Sequence, residues 1–99
     1  MSVKCSSYAC KAVLERFDEY SKDALKAVDA VKKGYWKQAL ILLSTMDYVR
    51  GIMDGYLGSL AETEPRTHKQ LTKILHSSEL DDIIKLHYAM RKIVENKFE

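Results

Sequence analysis

Hydrophobic residues recur at alternating intervals of three and four along residues 36–60, a segment without proline. This spacing places them on one side of an α-helix and is typical of a helix that packs against a neighbour. Two lines of residues, each with a seven-residue repeat, carry the pattern: one holds Ala39, Met46, Met53 and Leu60, and the other holds Leu42, Val49 and Tyr56. We therefore expect this segment to be the central helix of the protein.

The opposite side of the same helix carries small residues. Ser44, Gly51 and Gly58 repeat at intervals of seven, and Gly55 lies between the last two. Each glycine costs roughly 1 kcal/mol relative to alanine in a helix interior. A helix that keeps three of them is expected to have close neighbours on both sides, so the pattern predicts a helix enclosed within a bundle.

A second long helix precedes the central one. Ser6 or Ser7 can cap a helix over about residues 6–33, and Gly34 is a suitable residue to end it. The central helix, over about residues 35–62, follows after so short a connection that the two helices must lie antiparallel. The sequence therefore predicts a long helix hairpin.

Two shorter helices are predicted after the hairpin. Pro65 fits the first position of a helix over about residues 65–76, where its missing amide hydrogen does no harm. Ser78 and Asp81 approximate a capping box for a C-terminal helix over about residues 79–98. The hairpin would then be covered by a shorter second layer made of two pieces.

Composition supports an all-α fold. One proline and four glycines among 99 residues are too few turn residues for an all-β protein. The length is typical of one domain, so we predict a single helical domain over residues 1–99. The net charge of +2 is nearly balanced, which argues mildly against a protein that relies on many phosphate contacts.

The two cysteines bear on the cellular compartment. Cys5 and Cys10 would point to different sides of one helix, so an internal disulfide is not expected. Two free thiols suit a reducing compartment, and the first residues lack the apolar run of a secretory signal. No run of 18 apolar residues is present to cross a membrane. We predict a cytoplasmic protein that does not insert into membranes.

Motifs for catalysis or for metal and cofactor binding are not found in the sequence. The three histidines lack the i,i+4 spacing of a metal pair, and there is no CxxC or HExxH motif. His87 lies on the packing line of the last helix, where a hydrogen-bonded core residue is the expected role. We therefore predict no catalytic, metal or cofactor site and no enzymatic activity.

Aromatic residues provide the first candidate for partner binding. Six tyrosines are present, and Tyr35, Tyr48 and Tyr56 lie on several sides of the central helix, so they cannot all be interior without a partner. The candidates for a protein-binding or self-association surface are Tyr8, Tyr35, Trp36 and Tyr48. Arg50 interrupts an apolar line on the same helix. It is either a charged anchor for an acidic partner or the ion-pair partner of an acid on the first or last helix.

Basic residues provide the second candidate. The third helix carries no acidic residue, and its outward side has a stripe at 3-4-3 spacing that consists of Arg66, Lys69, Lys73 and His76. Such a stripe suits either a phosphate backbone or an acidic protein surface. A solvated helix face without a ligand is the alternative interpretation.

These features favour a non-enzymatic protein-interaction module, meaning an adaptor, chaperone or inhibitor that covers a surface of a larger protein. The alternative is a nucleic-acid-binding regulator that uses the basic stripe of the third helix. Two long helices and two short ones leave part of the hairpin uncovered, and a two-fold dimer is the commonest way to cover such a surface. A homodimer is therefore a further prediction.

Overall fold

The computed structural model describes residues 5–98 and confirms the all-α fold. Its four helices are α1 (Tyr8–Lys33), α2 (Trp36–Thr63), α3 (Pro65–Ser77) and α4 (Leu80–Asn96), and the described residues contain no strand. Helices α1 and α2 form the predicted hairpin and pack on each other extensively. Because both are much longer than α3 and α4, the molecule is elongated, with extents of 44 × 22 × 16 Å.

The ends of the hairpin follow from the predicted capping residues. Ser7 is the N-cap of α1, and its hydroxyl accepts a hydrogen bond of 3.3 Å from the amide of Cys10. Gly34 ends α1 in the left-handed conformation, with a φ of 74° that glycine adopts without strain. Tyr35 alone then separates it from α2, so the two helices must run antiparallel.

The core lies between the hairpin and the two shorter helices. The inward side of α2 is buried through Ala39, Leu43, Met46, Val49, Met53 and Leu60. Small residues of α1, among them Ala24, Ala27 and Ala30, are buried opposite. Helix α3 contributes Leu71 and Leu75, and α4 contributes Leu80, Met90 and Val94. Amphipathic periodicity thus positioned the core correctly.

The prediction that Cys5 and Cys10 are unpaired is wrong. The two residues form a disulfide, with their Cα atoms 5.3 Å apart. The prediction assumed that both cysteines lie on one helix, but α1 begins at Tyr8 and Cys5 precedes its cap. The chain before the helix is therefore free to turn back onto Cys10, which is fully buried.

The predicted capping box at the start of α4 is also wrong. Ser78 ends α3 instead, and the N-cap of α4 is Glu79, which makes no side-chain capping hydrogen bond. The Asp81 carboxylate lies 3.1 Å from His76 Nδ1 at the end of α3. The connection between α3 and α4 is so short that Glu79 takes a φ of 71°. This left-handed conformation favours glycine.

The prediction that α2 has close neighbours on both sides is wrong within this chain. A Cβ atom added at Gly51, Gly55 or Gly58 would meet no atom within 4 Å, and all three glycines are exposed. Helices α1, α3 and α4 all cover the other side. Residues 5–98 therefore leave one side of α2 open.

Membrane insertion finds no support in the helices. None of those within residues 5–98 combines the length and the apolar character that a span across a bilayer requires.

Candidate functional site

The open side of α2 has a regular pattern of its own. Eight residues follow one another at alternating intervals of four and three, and we call this line the outward face: Lys37, Ile41, Ser44, Tyr48, Gly51, Gly55, Gly58 and Glu62. All eight are exposed. A spacing of 3.5 residues on average is the repeat by which one helix packs along another.

The two halves of the outward face differ in size. The N-terminal half presents Ile41 and Tyr48, which are 67% and 70% exposed, whereas the C-terminal half presents only glycine before Glu62. Shallow depressions flank both halves. One of about 440 Å³ lies around Ile41 and Tyr48, and one of about 390 Å³ lies around Gly55 and Ser59. The outward face therefore presents large side chains in its N-terminal half and glycine in its C-terminal half.

Tyr35 and Trp36 lie at a different place, the corner between α1 and α2. Tyr35 is 56% exposed, while Trp36 is half-buried. The ammonium group of Lys97 lies 5.0 Å from the centre of the Trp36 ring, and Phe98 helps to line an open depression of about 490 Å³ beside it. The residues after α4 thus already cover part of this predicted aromatic surface.

Arg50 makes contacts within the chain. Its Nη1 donates a hydrogen bond of 3.0 Å to the hydroxyl of Tyr88 on α4, and its Nε lies 3.9 Å from Asp54 on its own helix. The guanidinium carbon lies 5.7 Å from the centre of the Tyr88 ring. The partner on α4 is therefore a tyrosine and not the acid that the pairing interpretation expected.

A polar cluster links α1, α2 and α4 beside Arg50. The Tyr20 hydroxyl and His87 Nδ1 share a hydrogen bond of 2.9 Å in the core. The other ring nitrogen, Nε2, lies 3.2 Å from Arg91 and 3.4 Å from Asp47, and Arg91 and Asp47 form an ion pair. Every polar atom of His87 thus has a partner, as expected for a core histidine.

The surroundings of the cluster hold its two central groups neutral. Burial lowers the pKa of His87, an effect that the charge of Asp47 opposes and that of Arg91 reinforces. Burial also raises the pKa of Tyr20 to about 12. Both side chains are fully buried, so a substrate in solution has no access to either one. The arrangement connects three helices, and its exposed members are the side chains of Asp47 and, in part, Arg91.

The basic stripe of α3 is exposed, as predicted for its outward side. Arg66, Lys69 and Lys73 form no ion pair with any residue of the described range 5–98. His76 differs, because its Nδ1 lies 3.1 Å from Asp81. The stripe therefore presents three cations without an ion-pair partner among residues 5–98, and its fourth member is next to a carboxylate.

The sequence-predicted site residues are not brought together. Tyr35 and Trp36 lie at the hairpin corner, Tyr48 lies on the outward face, Arg50 contacts α4, and the stripe is on α3. Sequence analysis identified the glycines of α2 but assigned them to internal packing. It missed Ile41 as part of the same line, although the interval of seven between Ile41 and Tyr48 was a signal for it.

Comparisons with known proteins give no independent guide. Neither the protein-family models nor the curated proteins nor the solved structures contain a match to this chain. Within residues 5–98, no three histidine, cysteine, aspartate or glutamate side chains come together as metal ligands. The outward face of α2 is therefore the strongest candidate site.

Proposed function

We propose that this protein is a non-enzymatic interaction module, an adaptor, chaperone or inhibitor that binds another protein through the outward face of α2. One observation carries the proposal. Between Lys37 and Glu62 the face has no charged residue, yet it exposes Ile41 and Tyr48 beside three glycines. Large apolar side chains that are exposed together on one helix face mark a candidate interaction site.

The composition of the face fits protein binding. Tyr48 combines a large apolar ring with a polar hydroxyl, a combination that is enriched in protein interfaces. The glycines allow a partner to approach the backbone of α2 closely, which partly offsets their cost to the helix. Neither property would benefit a face in contact with water alone.

Affinity purification tests this function with Ile41→Lys combined with Tyr48→Lys. The matched control is Leu25→Lys on α1, which changes a leucine that is 72% exposed. We expect the tagged wild-type protein and the control to retain the same protein, and the double variant to lose it. Reconstitution from purified components must then reproduce the difference. Equal binding by all three forms would refute the outward face as the site.

A second candidate function is nucleic-acid binding through α3. The observation in its favour is that Arg66, Lys69 and Lys73 are exposed and form no ion pair with the residues that the structure describes. Binding should weaken steeply with salt and should be lost in Arg66→Glu combined with Lys69→Glu. The control reverses two exposed lysines of α1, Lys11→Glu with Lys26→Glu, for the same change in net charge. Equal loss in both double variants would indicate a charge effect without a site.

The cytoplasmic location stays a prediction. Its main premise was a pair of free thiols, and the Cys5–Cys10 disulfide removes that premise. Disulfides persist mainly in oxidising compartments, so a thiol assay on the protein from its own cells is the relevant measurement. Two reactive thiols after denaturation would support a cytoplasmic location. The absence of any reactive thiol would contradict it.

A further inference from the structure

We propose that the partner of the outward face is a second copy of this chain, with the two α2 helices antiparallel and Lys37 of each opposite Glu62 of the other. The proposal rests on the proposed function and names the partner of the same site. It follows from the order of large, small and charged residues along the face.

The repeat of the face fixes how two copies can align. Its residues alternate between two lines, one with Lys37, Ser44, Gly51 and Gly58 and one with Ile41, Tyr48, Gly55 and Glu62. When two such helices pack antiparallel, residues of the first line lie opposite residues of the second. If Lys37 lies opposite Glu62, every other residue of the face also has an opposite within the face, because α2 covers residues 36–63.

Size is complementary in this alignment. Ile41 of one copy lies opposite Gly58 of the other, and Tyr48 lies opposite Gly51. The remaining layer pairs Ser44 with Gly55, two small residues between the larger contacts. The half with large side chains on each helix thus meets the glycine half of its partner, which includes the depression around Gly55 and Ser59. The three glycines, unexplained within one chain, each obtain a neighbour.

Charge is complementary as well. Lys37 and Glu62 are the two charged members of the face, and they occupy its opposite ends. The antiparallel alignment pairs them twice, once at each end of the interface. A parallel alignment would instead place Lys37 against Lys37, Glu62 against Glu62 and Tyr48 against Tyr48, and would leave glycine opposite glycine.

Neighbouring registers are less favourable. Sliding one copy by seven residues in one direction places Glu62 opposite Ser44 and leaves Lys37 beyond the end of α2. Sliding it in the other direction places Lys37 opposite Gly55 and leaves Glu62 unmatched. Both shifts shorten the overlap, so a single register satisfies size, charge and length together.

Cysteine cross-linking tests this register directly. In Ser44→Cys combined with Gly55→Cys, the two new thiols are about 16 Å apart along their own helix, too far for an internal disulfide. We expect oxidation to join two chains at least tenfold faster than in either single variant. The single variants are the control for direction, since a parallel pair would cross-link through Ser44→Cys alone or through Gly55→Cys alone. Wild-type protein, with its own Cys5–Cys10 disulfide, is the blank.

Light scattering on the unmodified protein accompanies the cross-linking. We expect twice the mass of the 11.4-kDa chain, and at least a tenfold weaker dimer in Tyr48→Lys but not in the control Leu25→Lys. Circular dichroism should show the same helix content in all forms. A monomer at every concentration overturns the proposal. So does faster cross-linking in Ser44→Cys with Glu62→Cys, the pair opposite each other in the shifted register, than in Ser44→Cys with Gly55→Cys.

The outcomes separate this inference from the proposed function. A monomeric protein that still loses its captured partner on Ile41→Lys with Tyr48→Lys overturns the dimer and leaves the interaction module intact. A dimer in the expected register that retains no other protein supports the inference and removes the larger partner from the proposed function.

Discussion

The two sides of α2 follow the same kind of repeat and have opposite surroundings. The inward side carries mostly large apolar residues, and six of them from Ala39 to Leu60 are buried by the other helices. The outward face keeps the spacing just as regularly, but it replaces side chains with glycine over its second half. Regular spacing therefore indicates a packing surface, whereas residue size decides which elements of the same chain can fill it.

The difference also explains why the glycines are tolerated. On the inward side a missing side chain would leave a cavity, since the neighbours there are fixed by the hairpin. On the outward face the missing side chains leave open space in the single chain. A second helix can enter this space only because no residue in the described part of the chain occupies it.

The largest expected effect is the loss of stability when a side chain on the inward side is truncated, compared with a truncation on the outward face. Met53→Ala on the inward side, where the residue is 1% exposed, should lower the free energy of unfolding by about 3 kcal/mol through lost burial and a residual cavity. Ile41→Ala on the outward face should change it by less than about 0.5 kcal/mol. Urea denaturation at a concentration where the protein is monomeric measures both. Similar losses for the two variants would show that the outward face is also packed within the chain.

A second prediction concerns pH, because the titratable cluster lies at the edge of the inward side. The pKa of His87 is lowered from 6.5 in the folded state, so the unfolded state binds more protons between the two values. Stability from this group is complete above about pH 6.5 and is lost as pH falls toward the folded pKa. The groups facing His87 are Tyr20, Asp47, Tyr88 and Arg91.

His87→Leu tests the assignment. The variant should lower the free energy of unfolding by about 2 kcal/mol at neutral pH, because the Tyr20 hydroxyl is left buried without its partner. In His87→Leu the free energy of unfolding should also no longer show the fall below pH 6.5 that His87 causes. The variant His76→Gln, which removes an exposed histidine, should still show it. The pKa of Asp23 is raised by burial, so Asp23 stabilises the folded state as pH falls, opposite to His87. The informative quantity is therefore the difference in the free energy of unfolding between His87→Leu and His76→Gln at each pH. An unchanged decline in His87→Leu would refute the role of His87.

Sequence alone predicted the helices and the inward side of α2, because amphipathic periodicity and capping are local. Ser7, Gly34 and Pro65 mark helix ends through interactions within four residues. Gly34 and Pro65 were identified correctly, and Ser7 was one of two candidates for its cap. The capping box at the start of α4 was wrong, because Asp81 contacts His76 across the connection and Glu79 is the N-cap. The disulfide was missed because its geometry depends on where α1 begins.

The candidate site was only partly accessible from the sequence. A glycine line predicts close approach by another helix, but it does not indicate whether that helix belongs to the same chain. The polar cluster was less visible still, since Tyr20 and His87 are 67 residues apart and meet through tertiary packing. Arg91, one turn after His87, gave a weak local signal, and Asp47 on α2 gave none.

The smallest effect gives the sharpest contrast between the two sides. Gly51→Ala should raise the free energy of unfolding of the monomer by about 1 kcal/mol, because alanine favours the helix and its Cβ meets no atom within 4 Å. The same methyl group would lie against Tyr48 of a second copy in the proposed register, so self-association should weaken. Denaturation at low concentration and sedimentation at high concentration measure the two quantities. Ser44→Ala is the matched control. It adds no atom between the two α2 helices, so it should leave self-association unchanged. A variant that gains stability and associates equally well would contradict the register, because the glycine would then serve neither the chain nor its partner.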